Sequence, residues 1–369
     1  MTVTTRENSI HYLELQGTPY DMGQQHGTAL KNEVIQAVAD YRANVETMFG
    51  QENARKVFDW ALNQARFRKE IEGHAPALLE ELGGIADAAG IALEDMILLN
   101  MFEEVYEAAP MRLGLAARQP KATACTAFTA RSKGRRFAGQ NMDYSSNLQE
   151  KQLVVRYRYP DRQLLLYCFV GQVGGLGVNS KGLSVFINTL PQGRKRADDG
   201  LGSNSILRLL LEQDSVADAL DLLRKVPRFG GANYTLTDLS TGMVVEADAD
   251  EVIPRLQTDE DWAVVGTNHA LCLKHRHDMP GAYEDGEPVP YSVSLTLERM
   301  GYAQSRLDEA EDSLTVDGIK GILTSTPVNI YNTEFMTLQS AIVEYGTDRL
   351  AFHASAGYDP LRGWNEYRL

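Results

Sequence analysis

Ala124-Cys125-Thr126-Ala127-Phe128 divides the sequence into two regimes: the residues before it repeat at helical spacing, and those after it alternate as strands do. Just upstream, Ala109 to Thr123 carries two prolines, small residues and no sustained period, the composition of an exposed connection that tolerates cutting. A cut between Ala124 and Cys125 would give Cys125 a thiol and a free α-amine at once. An α-amine of pKa about 7.7 to 8.0 can take the proton of a thiol near about 8.5, making one residue both nucleophile and base.

Upstream of the junction, Ile10 to Leu15 alternates as a strand, and Thr18-Pro19-Tyr20-Asp21 reads as a helix cap with proline at the first turn. Leu30, Val34, Val38, Tyr41, Val45 and Phe49 continue one apolar face of a long helix. Gly17 to Gly27 is read as structural, setting the helix start and a close approach to the sheet, with Tyr20 and His26 as candidate site-lining residues. Further helices are expected over 52–72, 75–89 and 93–107. Downstream, strands are expected over 126–131, 136–142, 152–159, 163–170, 173–179, 183–188, 232–238, 242–248 and 262–266. Helices over 203–213, 215–225, 293–310 and 315–324 interrupt them, and a closing hairpin pairs 336–344 with 349–354. Strands in runs, then helices, then strands again predict an α+β fold of antiparallel layers.

The 369 residues can bury a large core, and 43% apolar with 23% charged residues is ordinary for a globular protein. With 36 basic and 50 acidic residues the net charge is -14, a field that repels phosphate backbones and anionic lipid, so neither nucleic acid nor membrane is an expected partner. No secretory pattern opens the sequence and no apolar run is long enough for a span, so a cytoplasmic location is expected. Cys125, Cys168 and Cys272 stand far apart without a CxxC pair, which predicts no disulfide framework, no metal site and no cofactor.

Taken alone, each of these cysteines reads as small core filler. Cys125 differs by its place at the junction and by Gly139-Gln140-Asn141-Met142-Asp143-Tyr144 downstream. A hairpin between the two segments would bring Asp143 beside Cys125, where a carboxylate can orient an amine; a strand-ending aspartate is the plainer alternative. Among the histidines, His269 lies near a polar motif, and His275 and His277 in a basic run read as solvated.

Four motifs in order, Gly17-Thr18-Pro19-Tyr20-Asp21-Met22-Gly23 with Gln25-His26-Gly27, Cys125-Thr126, Gly139-Gln140-Asn141-Met142-Asp143 and Gly266-Thr267-Asn268-His269, resemble the isopenicillin-N N-acyltransferase family of N-terminal-nucleophile hydrolases. The resemblance covers nearly the whole chain. It implies a four-layer αββα fold and a precursor that cuts itself between Ala124 and Cys125, leaving 1–124 and 125–369 as a heterodimer within one domain. It implies Cys125 as nucleophile, Asp143 as partner of its amine and Asn268 as side-chain donor to the oxyanion, acting on a small-molecule acyl amide or acyl thioester. Gln140, Tyr144, Asn179 and Ser340 are supporting candidates, with Asn179 equally explained as a turn residue. Two departures stand out. Ala124 replaces the glycine common before the nucleophile, and Gln140 replaces the arginine of bile-salt and penicillin V hydrolases, which points to the acyltransferase-like branch. An uncleaved, non-catalytic binding member of the fold is the alternative.

Overall fold

Thr18 starts the first helix as the sequence requires: its hydroxyl accepts the Asp21 backbone N–H and the Asp21 carboxylate accepts the Thr18 N–H, with Pro19 in the first turn. The computed structural model describes residues 4–115, 124–191, 195–196, 198–274, 283–284, 287–288, 293–331, 336–346 and 350–369. Among these the helices are α1 Pro19–Ala29, α2 Lys31–Phe49, α3 Gln51–Asp59, α4 Phe67–His74, α5 Pro76–Ala89, α6 Leu93–Asn100, α7 Phe102–Leu113, α8 Ser203–Leu211, α9 Val216–Lys225, α10 Val293–Ala310 and α11 Val316–Leu323. The strands are β1 Thr4–Glu7, β2 Ile10–Gln16, β3 Ala124–Ser132, β4 Arg135–Tyr144, β5 Gln152–Arg158, β6 Gln163–Phe169, β7 Leu176–Asn179, β8 Ser184–Thr189, β9 Ala232–Thr237, β10 Gly242–Ala247, β11 Val252–Leu256, β12 Ala263–Gly266, β13 Tyr283–Glu284, β14 Glu287–Pro288, β15 Met336–Tyr345, β16 Leu350–Ala356 and β17 Asn365–Arg368.

Two sheets face each other. One is ordered β1-β2-β5-β6-β7-β8-β9-β10-β11 and the other β12-β3-β4-β15-β16-β17. Every pairing within them is antiparallel except β2 with β5. Helices α1, α8 and α9 cover the larger sheet, and α10 and α11 cover the smaller one. The α+β expectation of two packed, mainly antiparallel sheets between helices therefore holds, with strand alternation dividing the cores. Phe128, Ala130, Phe137 and Ile342 pack beneath α10 and α11, whereas Cys125, Ala127, Ala138 and Met142 face the larger core between the sheets. No helix among the described residues is long and apolar enough to cross a membrane.

Local expectations fail where distant contacts decide. The long first helix breaks at Leu30, and 52–72 resolves into α3, a π-helical turn Trp60–Gln64 and α4. The helix expected over 93–107 bends at Met101, because Asn100 donates to Gly171 O and accepts the Val173 N–H. Ala109 to Leu113, expected in the connection, extend α7 to its left-handed end at Gly114. The remainder of that connection, 116–123, and both His275 and His277 lie outside the described residues. The close approach made by the first glycines is to a helix rather than to the sheet: a Cβ at Gly23 would stand 2.0 Å from Glu81 O, and one at Gly84 2.3 Å from Tyr20 O. Glycine at both positions lets α1 and α5 touch backbone to backbone.

Candidate active site

β3 and β4 pair with Cys125 opposite Met142 and Ala124 opposite Asp143, which puts Asp143 diagonally beside Cys125 as the hairpin requires. On the other side β12 pairs with β3, Gly266 opposite Ala127, so the chain leaving β12 carries Asn268 level with Cys125. The Cys125 N–H donates to Asn268 Oδ1 at 2.7 Å. These three residues, far apart in sequence, meet in one place.

Arg299 on α10 completes the cluster, and sequence reasoning missed it. Its side chain is fully buried. It donates from Nη1 to the Cys125 carbonyl at 2.5 Å and to Thr126 Oγ1 at 2.9 Å, and from Nη2 to Asn268 Oδ1 at 3.0 Å. Guanidinium and backbone N–H are donors only, so the Asn268 atom facing both must be its oxygen. Asn268 Nδ2 instead donates to Thr189 O at 3.0 Å. The residue expected to present an N–H thus presents its acceptor to the Cys125 nitrogen, with the second N–H of Nδ2 left over.

Burial sets the ionisation of this cluster. Asp143 accepts Thr337 Oγ1–H at 2.5 Å on one oxygen, and its other oxygen is buried without a hydrogen-bond partner. Desolvation pushes its carboxyl from 3.8 up to about 7, against the opposing pull of Arg299. The Cys125 thiol is driven far above its ordinary range by burial and by the charges of Asp143 and Glu103. In the unbroken chain the thiol is held protonated. Burial also lowers Arg299, with Asp143 opposing.

Cys125 opens on a cavity walled by Phe102, Tyr144, Phe169, Ile187 and Leu207. Tyr144 belongs there, its hydroxyl donating to Glu103, whose carboxyl burial lifts to about 8. The other supporting candidates do different work. Gln140 clamps the sheets together through the Ile187 N–H and C=O, and Asn179 closes its turn by accepting Lys181 and Leu183 N–H while donating to Leu211 and Gln213. Ser340 donates to Asn141 and accepts from Arg362. His269 is held by Thr267 and Thr296, and burial lowers it to about 4. His26 is buried against the Gly171 N–H, and Tyr20 binds Asp87; neither lines the cavity. Among the described residues no cluster of His, Cys, Asp or Glu is arranged to hold a metal ion.

A raised carboxyl gives a pH dependence opposite to that of a paired aspartate. Protonated Asp143 suits the fold, so its stability contribution is complete below 3.8 and is lost as pH rises through about 7. In a Cys125→Ala background, Asp143→Asn is expected to flatten the decline of urea-unfolding free energy between these pH values. At about 1.4 kcal/mol per pH unit the difference is on the order of 4 kcal/mol. Parallel curves for the two proteins would show that Asp143 titrates normally.

The family model of acyl-coenzyme A:6-aminopenicillanic acid acyl-transferase matches residues 130–342, which include Asp143, Asn268 and Arg299 and begin shortly after Cys125. The chain is 27% identical over 290 residues to the acyl-coenzyme A:6-aminopenicillanic-acid-acyltransferase 40 kDa form of Emericella nidulans, covering 77% of this chain and 74% of that protein. It is 23% identical over 239 residues to a beta-alanyl-dopamine/carcinine hydrolase of Drosophila melanogaster, covering 60% and 59%. Among solved structures, penicillin V acylase from Agrobacterium tumefaciens aligns with a TM-score of 0.45 and 13% identity over 66% of this chain and 86% of that one.

Proposed function

Because the chain belongs to the acyl-coenzyme A:6-aminopenicillanic acid acyltransferase family, we propose that it is an N-terminal-nucleophile enzyme. It cuts its own backbone between Ala124 and Cys125, then uses Cys125 to cleave or form linear, non-peptide amide bonds or to accept acyl groups from thioesters. The observation that carries this reading is the Cys125 N–H held at 2.7 Å by Asn268 Oδ1 while its thiol faces the cavity. An acceptor that holds a peptide N–H also holds an amine, so the site is already arranged around the N-terminus that cleavage would make.

In the cutting step, Cys125 Sγ adds to the Ala124 carbonyl carbon as Asp143, a base near pH 7, takes the thiol proton. The C–N bond then breaks, the Cys125 nitrogen leaves with that proton as an amine, and water hydrolyses the resulting thioester to free the Ala124 carboxylate and the thiol. The new amine would lie where Asp143 has an unpartnered oxygen, and the ammonium it becomes on taking the thiol proton favours the charged forms of both the thiol and the carboxyl. A thiol held inert by burial becomes reactive once the chain is cut. In turnover the amine takes the thiol proton, the thiolate attacks the substrate carbonyl, and the proton passes to the leaving amine. The acyl-enzyme is then resolved by water or by a second amine. Asn268 has one Nδ2 hydrogen beyond its bond to Thr189 to offer the oxyanion, a donor worth about 3 kcal/mol of barrier.

The test is intact mass of the purified protein, expected as fragments of 124 and 245 residues, with product analysis on N-acyl amides in the presence and absence of an added amine. A new amide would establish transfer, and free acid alone hydrolysis. One uncut chain with neither product would leave a binding member of the fold.

A further inference from the structure

A second chamber adjoins the thiol cavity, the two sharing Glu103, Ile187, Thr189 and Ser203 in their walls. Its other polar wall is acidic, because α7 turns Glu104 and Glu107 toward it as well. Glu104 is 7% exposed. One of its oxygens accepts the Ser203 N–H at 2.7 Å, where the positive end of α8 favours a carboxylate. Its other oxygen, Oε2, is buried without a hydrogen-bond partner. Capping α8 therefore accounts for half of this carboxylate and leaves the other half bare.

Charge in the chamber is likewise incomplete. Burial and the neighbouring Glu104 raise Glu103, and among the described residues the one ion pair these three carboxylates make is Glu107 with Lys195 at 2.9 Å. A donor is the partner that an ionised Glu104 Oε2 lacks, and a positive charge beside it would favour the ionised forms of Glu103 and Glu104, which burial disfavours. Leu201, Ile206 and Phe229 form the apolar part of the same chamber, which suits methylene groups. We propose that this chamber is a subsite for a protonated primary amine on the substrate, carried by an aliphatic chain that reaches past Ile187 and Thr189 from the carbonyl held at Cys125. The three N–H donors of an ammonium match Glu104 Oε2 and the Glu103 carboxyl, while a carboxylate or phosphate at the same place would meet three acidic side chains. The inference rests on the acyl-transfer reading of Cys125 given above.

The test pairs rates with binding. Two isosteric pairs are compared on purified enzyme: ω-aminohexanoyl against heptanoyl amides, and hexanoyl amides of diaminohexane against those of heptylamine. The cationic member of at least one pair is expected to lead by about tenfold in kcat/KM, the scale of one charge-assisted contact. That ratio should collapse toward unity in Glu104→Gln, which keeps an oxygen for Ser203, and hexylammonium but not hexanol should raise the melting temperature of the wild type and not of the variant. If Glu104→Gln does not fold, Glu103→Gln reads the same ratio. Equal rates within both pairs, or a preference that survives both substitutions, would overturn the subsite and leave acyl transfer standing. Absence of all amide turnover, with hexylammonium still raising the wild-type melting temperature alone, would keep the subsite and sink the acyl-transfer reading. No turnover and no shift would remove both.

Discussion

Cys125→Ala is expected to yield one folded chain of 369 residues without acyl-transfer activity, where the wild-type protein yields two fragments. Cleavage and turnover both start at the same sulfur, so loss of the thiol removes both, and activity should fall on the order of 10³-fold or more. The fold should survive. The side chain is 2% exposed and packs in the large core between the sheets, and loss of a single sulfur atom from such a core costs about 1 to 2 kcal/mol. Because the Cys125 N–H bond to Asn268 and the carbonyl bond to Arg299 are made by backbone atoms, they persist in the variant. A purely structural cysteine would lower the melting temperature and leave the mass pattern untouched, so the two measurements together separate the roles. Two fragments from Cys125→Ala would end the proposal of self-cleavage at this residue.

Features whose causes lie within a few residues were legible in the sequence. The Thr18–Asp21 cap, the change of regime at Ala124 and the hairpin that brings Asp143 to Cys125 all follow from local spacing. Asn268 came from resemblance alone, since its place depends on β12 joining the edge of a sheet begun more than a hundred residues earlier. The parallel pairing of β2 with β5 and the bend at Met101 were hidden for the same reason: both are decided by partners remote in sequence. Glu103 and Glu104 stand in the first turn of α7, where acidic residues are ordinary partners of the helix dipole. Only the walls built by α8, β8 and β9 reveal them as lining a chamber. Arg299 gave no signal, because an arginine in an amphipathic helix reads as solvent-facing until that helix is seen laid across β3 and β12.

Arg299 is where the second large effect is expected. Arg299→Ala should destabilise the unbroken chain by about 3 to 5 kcal/mol, since it strips the Cys125 carbonyl, Thr126 Oγ1 and Asn268 Oδ1 of a shared, buried donor. Arg299→Lys is the sharper variant. It retains a charge near Asp143 but not the rigid fork, and one ammonium cannot reproduce the paired geometry in which Nη1 holds the cysteine carbonyl and Nη2 holds the asparagine that orients its nitrogen. The lysine protein is expected to fold and to cut itself on the order of 10²-fold more slowly. A role confined to packing would change only stability, so the deciding readout is the pH profile of cutting, followed by mass on freshly refolded protein. The Arg299 charge is the largest influence that lowers Asp143 against its desolvation; weakening that influence raises the carboxyl further, and a base with a higher pKa loses its proton only at higher pH. The acid limb of the profile should therefore move upward in Arg299→Lys and further in Arg299→Ala. A slowed rate with an unmoved limb would confine Arg299 to positioning Asn268 and the cysteine carbonyl, and an unchanged rate in both variants would take it out of the machinery.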